Sequence, residues 1–324
     1  MVRFTVLASG SKGNCTVVTG GRTRILVDCG LSCRELFRRM KLMEEEPETL
    51  NAILITHEHS DHVNGVAVTA RKLGIPVYFT EGTHRAWMRW LSPRKQMTYA
   101  QWLEQTRKQA AERQAEAEAA ADEGEPDESD LVETMVAPQQ AAEPVKEPAK
   151  AKDPTSLPAV EYFVAGEPFQ IGDISVSPFT TPHDAADPCG FVFESAADHA
   201  RMAIATDLGY MPPNVKAALR RIDVLLLESN HDLDMLKDGP YPWSVKQRVL
   251  SRVGHLSNHA TAEFLARDYD GGAHTIVLGH LSEQNNDPSL ALLAAEQALA
   301  GRMSLLGNRI LLAQQSAPLP SICL

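Results

Sequence analysis

The chain has 324 residues, 44% of them hydrophobic, enough for one large domain or two ordinary ones with an ample core. No run approaches the roughly 18 apolar residues of a membrane span, and Met1-Val2-Arg3-Phe4 leads straight into strand and turn without a small-residue cleavage site, so a signal peptide is not expected. The net charge of −11 argues against a nucleic-acid partner until its distribution is counted. Between Glu104 and Asp153 stand 14 acidic and 6 basic side chains, a balance of −8, which leaves only −3 for the remainder. Local basic clusters (Arg34, Arg38, Arg39 and Lys41; Arg85, Arg89, Arg94 and Lys95) fit a solvated helix face as well as phosphate attraction. The five cysteines (Cys15, Cys29, Cys33, Cys189, Cys323) are odd in number and scattered, as free thiols of a reducing cytoplasm are.

Residues 2–8 alternate as a strand, and Ser9-Gly10-Ser11-Lys12-Gly13-Asn14 is a turn of residues that tolerate unusual backbone angles. Its N–H groups and hydroxyls can hold a phosphate, with Ser9, Ser11 and Asn14 as candidate contacts; a plain tight hairpin is the equal alternative. Strands are expected at Cys15–Thr19 and Thr23–Val27, the second ending in Asp28. An acid closing an apolar strand beside a metal cluster is placed to orient a ligating histidine by accepting its N–H. Ser32 can cap a helix running to about Met43.

The apolar, β-branched run Ala52-Ile53-Leu54-Ile55 has the look of a buried strand, and it feeds Thr56-His57-Glu58-His59-Ser60-Asp61-His62. Residues two apart on an extended chain share a side, so His57 and His59 can grip one cation together. Asp61 and His62 open a helix expected through Val63–Leu73 and can face a second cation beside the first. Further along, a strand at Pro76–Thr80 precedes a helix with Trp87 and Trp90, in which His84 has no partner in sequence and is taken as structural or exposed. Residues 104–155, rich in Ala, Glu, Gln, Pro and Lys, are expected to form a flexible acidic insert. The domain halves would then be 1–103 and 156–324.

Order resumes at Val160–Val164 and a hairpin over Phe169–Phe179, leading to Thr181-Pro182-His183-Asp184. Strands are expected at Gly190–Glu194, Arg201–Ala205 (ending at Thr206-Asp207), Asp223–Leu227 (ending at Glu228-Ser229-Asn230-His231), Thr275–Leu278 (ending at Gly279-His280) and Arg309–Gln314. Helices are expected from Ala260 to about Arg267 and over Pro288–Ala300. Repeatedly a strand ends in a candidate ligand, which places those side chains along one rim of two sheets packed face to face with helices outside.

His-x-His-x-Asp-His after a strand is the signature of the metallo-β-lactamase superfamily, and the chain resembles its members over nearly its whole length apart from the insert. Leu7–Cys15, Leu26–Gly30, Thr181–Ala185, Glu228–Asp232 and Gly254–Asn258 narrow the resemblance to the YycJ (WalJ) group, similar to RNase Z and RNase J. The resemblance implies a four-layer αββα sandwich of α/β class. It also implies the ligand set that the strand-end pattern suggests, with His57, His59 and His183 on one ion, Asp61, His62 and His280 on the other, and Asp207 between them. The bland alternative for Asp207 is a helix cap before Gly209. Imidazole and carboxylate suit two divalent ions, zinc first and manganese next. Such a pair makes a shared hydroxide at neutral pH, for in-line displacement at phosphorus or attack on a carbonyl, with Asp61 at the catalytic centre.

Phosphodiester chemistry also asks for a proton donor to the leaving oxygen. Gly254-His255-Leu256-Ser257 resembles a Gly-His-Ser-Thr segment of RNase Z, and Glu228-Ser229-Asn230 its His-Glu-Ala-Thr loop. Carried over, His255 would contact the phosphate or protonate the oxygen and Glu228 would orient it. The extra Leu256, and Leu227 in place of a histidine, leave His231 and His259 as rival donors; His231, Ser257 and Asn258 are further candidate substrate contacts. The expectation is a metal-dependent phosphodiesterase, an exonuclease on DNA or RNA, in the cytoplasm, with no membrane partner and a homodimer left open. The alternative is a small-ester or thioester hydrolase of the same fold.

Overall fold

The computed structural model describes residues 2–92, 106–108, 155–300 and 309–324. The chain divides into two units, Met1–Leu91 with Pro154–Leu324, and Ser92–Asp153; the fold below is that of the first. The expected insert 104–155 lies outside the described residues except at its edge positions 106–108 and 155.

The first sheet holds β1 (Arg3–Ala8), β2 (Cys15–Gly20), β3 (Thr23–Val27), β4 (Ala52–Leu54), β5 (Val77–Phe79), β6 (Val160–Tyr162) and the C-terminal β14 (Ile322–Cys323), in the order β14-β1-β2-β3-β4-β5-β6. The second holds β7 (Phe169–Ile171), β8 (Ile174–Thr180), β9 (Cys189–Ser195), β10 (Arg201–Ala205), β11 (Val224–Glu228), β12 (Thr275–Gly279) and β13 (Arg309–Leu312), ordered β13-β12-β11-β10-β9-β8-β7. Each sheet is antiparallel at one end and parallel at the other, from β3 to β6 and from β10 to β13. Helices are α1 (Cys33–Leu42), α2 (Ser60–Val63), α3 (Val66–Leu73), α4 (Glu81–Leu91), α5 (Pro213–Ala218), α6 (Leu233–Asp238), α7 (Trp243–Val249), α8 (Asn258–Arg267) and α9 (Pro288–Leu299).

The strand sequences explain the layering. In β3, Ile25 and Val27 enter the core between the sheets while Leu26 packs outward with Leu36 and Met40 of α1. In β11, Val224 and Leu226 face inward while Leu225 and Leu227 pack with Phe264 and Leu265 of α8. Strands apolar on both faces alternate between two cores, and the result is four layers, helix–sheet–sheet–helix. The four-layer α/β sandwich expected from the sequence is the one observed. No helix among the described residues is long and apolar enough to cross a membrane.

One local expectation needs revision, and two open alternatives are decided. The helix after the histidine motif is broken at Asn64-Gly65, because Gly65 N–H is held by Cys29 O at 2.7 Å and a Cβ there would lie 2.0 Å from Leu31 O. His84 is buried, stacked on Phe79 and within 2.7 Å of Tyr162 Oη, so it is structural. In the first basic cluster, Arg38 pairs with Glu35 on the exposed helix face, while Arg39 is buried, pairs with Glu35 and donates to Leu7 O and Gln315 O.

Candidate metal centre

The parallel strands deliver the site. Asp28 follows β3, Thr56 to His62 follow β4, Asp207 follows β10, Glu228 closes β11 and His280 follows β12. Three of these residues, Asp28 (φ 58°), Asp207 (φ 59°) and His280 (φ 55°), occupy the left-handed region that side chains with a Cβ rarely adopt. Strained backbone at the ends of core strands is held there by the surrounding packing and concentrates at functional sites.

Each histidine nitrogen can be assigned from its partners. His183 Nδ1 donates to Gly254 O at 3.1 Å, so its Nε2 faces the site, 3.2 Å from His59 Nδ1. His57 Nδ1 lies 3.0 Å from the Thr56 hydroxyl, which leaves Nε2 free. These three nitrogens form one cluster able to hold an ion. His62 Nδ1 meets Asp28 Oδ2 at 2.8 Å, and Asp28 is itself fixed by Thr56 N–H and hydroxyl. His62 Nε2 then lies 3.4 Å from Asp61 Oδ2, which is 3.5 Å from His280 Nε2, a second cluster. Asp207 stands between them, Oδ2 3.5 Å from His62 Nε2 and Oδ1 3.6 and 3.8 Å from His280 and His183 Nε2. Asp207 therefore does not serve as a helix cap.

The donors fit divalent cations by an independent sign. His57 Nε2, His280 Nε2 and Asp207 Oδ2 are buried and have no hydrogen-bond partner among the described residues. Buried polar atoms are almost always paired, so orphans converging on one spot mark a place for a cation. The imidazole–carboxylate set and the accepting Asp28 behind His62 are what such ions require.

Glu228 is the second buried anchor. Its Oε1 faces His255 Nδ1 at 2.8 Å and His280 Nδ1 at 3.1 Å, while Oε2 accepts from Leu208 N and Leu256 N at 2.7 and 3.2 Å. Burial opposes its ionisation, but His255 and His280 outweigh that and hold it down to about 2. Burial likewise opposes the His255 imidazolium, and Glu228 beside it raises the pKa above the usual histidine value. Asp28 goes the other way: burial raises it despite the pull of His62.

A cleft of about 510 Å³ opens over these groups, lined by His59, Asp61, Asp207, His255 and His280. The structure brings all seven expected ligands together, with Asp28 and Glu228 behind them. Among the three rival donors His255 alone lines the cleft; His231 is buried and His259 is exposed on a separate groove. The expected substrate contacts need correction. Of six, only Ser11 lines the cleft. Ser9 accepts from His280 N, Asn14 donates to Asp61 Oδ2, Ser257 caps α8 by accepting from Ala260 N, and Asn258 bonds Ser229 and Asn286, all of them buried. His231 is buried as well, its pKa pushed down to about 4 mainly by that burial. Trp90, Val245, Val249 and the Arg248–Asp184 ion pair, which carried no functional expectation from sequence, line the cleft from α4, α7 and the loop after His183. The one available signal was Trp90, placed three residues after a core tryptophan.

Residues 8–245 match the model of the metallo-beta-lactamase superfamily. The exodeoxyribonuclease WalJ of Streptococcus pneumoniae is 32% identical over 298 residues, 92% of this chain and 88% of its own. The exodeoxyribonuclease YycJ of Bacillus anthracis is 31% identical over 300 residues, 92% and 89% of the two chains. The metallo-β-lactamase fold protein YhfI of Bacillus subtilis superimposes with a TM-score of 0.60 at 14% identity, covering 98% of this chain and 99% of that one, a likeness of fold. With the matched family, these relatives and the clustered donors together, the chain belongs to the metallo-β-lactamase superfamily and is a metal-dependent hydrolase.

Proposed function

We propose that the chain is a metal-dependent phosphodiesterase that shortens DNA from an end, an exodeoxyribonuclease. The observation that carries this is the His255–Glu228 pair at 2.8 Å beside the ligand cluster. Thioester hydrolysis expels a thiolate that leaves without an oriented proton donor, whereas cleavage of a phosphodiester expels an alkoxide that must be protonated. The 32% identity to an exodeoxyribonuclease supports the same reading.

His57, His59 and His183 would hold one ion, Asp61, His62 and His280 the other, with Asp207 shared; the donor set suits zinc ahead of manganese. When bound, two such ions supply Lewis acidity and lower the pKa of water. The protein does the rest. Asp28 keeps the His62 proton on Nδ1, and Glu228 does the same for His255, so that His255 Nε2 is left for the substrate side. His255 is part-exposed at the cleft and can pass a proton to the leaving oxygen, while Glu228 stabilises the imidazolium that donates it. The unpaired cysteines accord with a reducing, cytoplasmic setting.

The test is incubation of metal-loaded protein with end-labelled DNA and RNA strands. Progressive shortening that a chelator abolishes is expected, with DNA cut faster than RNA. Intact strands alongside turnover of a thioester would overturn the reading.

A further inference from the structure

The cleft has an apolar wall that metal chemistry does not use. Helix α4 is fixed by Trp87, 1% exposed and packed on Phe79, yet Trp90 one turn later is 55% exposed and lines the cleft that holds His59, Asp61 and His255. Val245 and Val249, spaced i to i+4 on α7, line it too. An indole more than half exposed in this cleft can stack against a flat partner.

The charge around it narrows that partner. The cleft is lined by the carboxylates of Glu58, Asp61, Asp184 and Asp207, and its basic side chain, Arg248, is ion-paired to Asp184. Apart from cations held at the ligand cluster, the rim offers little of the phosphate attraction by which basic grooves hold nucleic acids. The apolar wall offers a sequence-independent grip of another kind, base stacking on an aromatic ring.

We propose that Trp90 is a stacking platform for an unpaired nucleobase at the strand end, so that the cleft accepts a single-stranded or frayed terminus; the phosphodiesterase reading above is its premise. A base inside a duplex has both faces covered by its neighbours and cannot lie on the indole. A terminal base splayed from its partner can, with its phosphate led towards His255 and the ligand cluster. Every base has a π-face, so the platform selects for an open end and not for sequence.

The experiment compares metal-loaded, full-length wild type with Trp90→Ala, Trp90→Leu and Trp90→Phe on single-stranded oligonucleotides carrying an ordinary or an abasic terminal nucleotide. Trp90→Ala and Trp90→Leu should raise KM on the ordinary end by about tenfold to a hundredfold, the size of a lost base–aromatic stack. Trp90→Phe should keep most of the wild-type KM. The abasic end should raise the wild-type KM similarly and cause no further rise in Trp90→Ala. Metal content and Tm, compared across the set, separate lost stacking from lost folding, and Trp90→Leu keeps the bulk of the side chain should the alanine variant misfold. A wild-type KM in Trp90→Ala, or additive effects of abasic end and substitution, overturns the platform while leaving the nuclease reading standing. Absence of any strand cleavage by wild type overturns both.

Discussion

Asp28 and Glu228 are two versions of one device. Each is a fully buried carboxylate at the end of a core strand, one per sheet, and each accepts from a histidine at 2.8 Å. Asp28 turns its contacts inward, to Thr56 and to His62, which is wholly buried. Glu228 faces both ways, holding buried His280 on one side and part-exposed His255 on the other, with two backbone N–H groups behind. On the function proposed above, the first arrangement holds a metal ligand alone, while the second holds a ligand and also aims a proton donor at the cleft. The two carboxylates thus divide the work: Asp28 serves metal retention only and Glu228 proton transfer as well.

The sharpest way to break this division is His255→Ala. If His255 only donates a proton, phosphodiester turnover falls by about 10²- to 10⁴-fold, and bound metal by elemental analysis stays at the wild-type level. Thioester turnover is spared. Asp207, Glu228, His255 and His280 also lie close enough to hold an ion together. Metal lost along with activity would therefore make His255 a ligand and collapse the contrast.

Asp28→Asn probes the other half. Asparagine can still accept from Thr56, but it removes the charge that holds His62 in its ligating tautomer. Loss of such a partner weakens metal binding by about 10- to 100-fold, measured by competition with a chelator of known affinity. With metal in excess, kcat should return close to wild type. A kcat that stays low under saturating metal would mean that Asp28 takes part in chemistry after all.

The contrast also shows what the sequence could reveal. The seven candidate ligands and the two carboxylates behind them could be singled out because they fall at or shortly after the ends of apolar strands, and the period of two fixes where such a strand ends. Buried status was not legible for Ser9, Asn14, Ser257 and Asn258. A hydroxyl or amide in a loop reads alike whether it faces substrate or carries a neighbouring turn, and only the fold shows that Ser9 receives His280 N–H. Helices α5, α6 and α7, of six, six and seven residues, were missed because two turns or fewer hold too little periodicity. Two of them begin after proline and one after Asp232, which caps α6 by accepting from Asp234 N and Met235 N. Strand β14 pairs with β1 across nearly the whole chain, a contact no local pattern carries. Missing α7 also concealed the cleft wall and, with it, the setting of Trp90.

The smallest effect discriminates by its sign. Glu228→Gln removes an acceptor from a carboxylate with four donors around it, so at neutral pH it should lower stability by about 1–3 kcal/mol. Glu228 is held at about 2 in the fold, below its ordinary 4.5. A depressed carboxylate contributes stability above the unfolded value and loses it as pH falls towards the folded one. The Tm gap between wild type and Glu228→Gln should therefore be full at neutral pH and narrow as the pH is taken below 4.5. His255, raised in the fold, adds no opposing drift there, because its contribution is complete below the ordinary histidine value of 6.5. Asp28 is raised from 3.8, so folding disfavours its ionised form and acid relieves that penalty in wild type. The gap between wild type and Asp28→Asn should then drift the opposite way, wild type gaining relative to the variant as pH falls. If wild type also gained on Glu228→Gln as pH fell, as expected for Asp28→Asn, burial and not His255 and His280 would set the ionisation of Glu228.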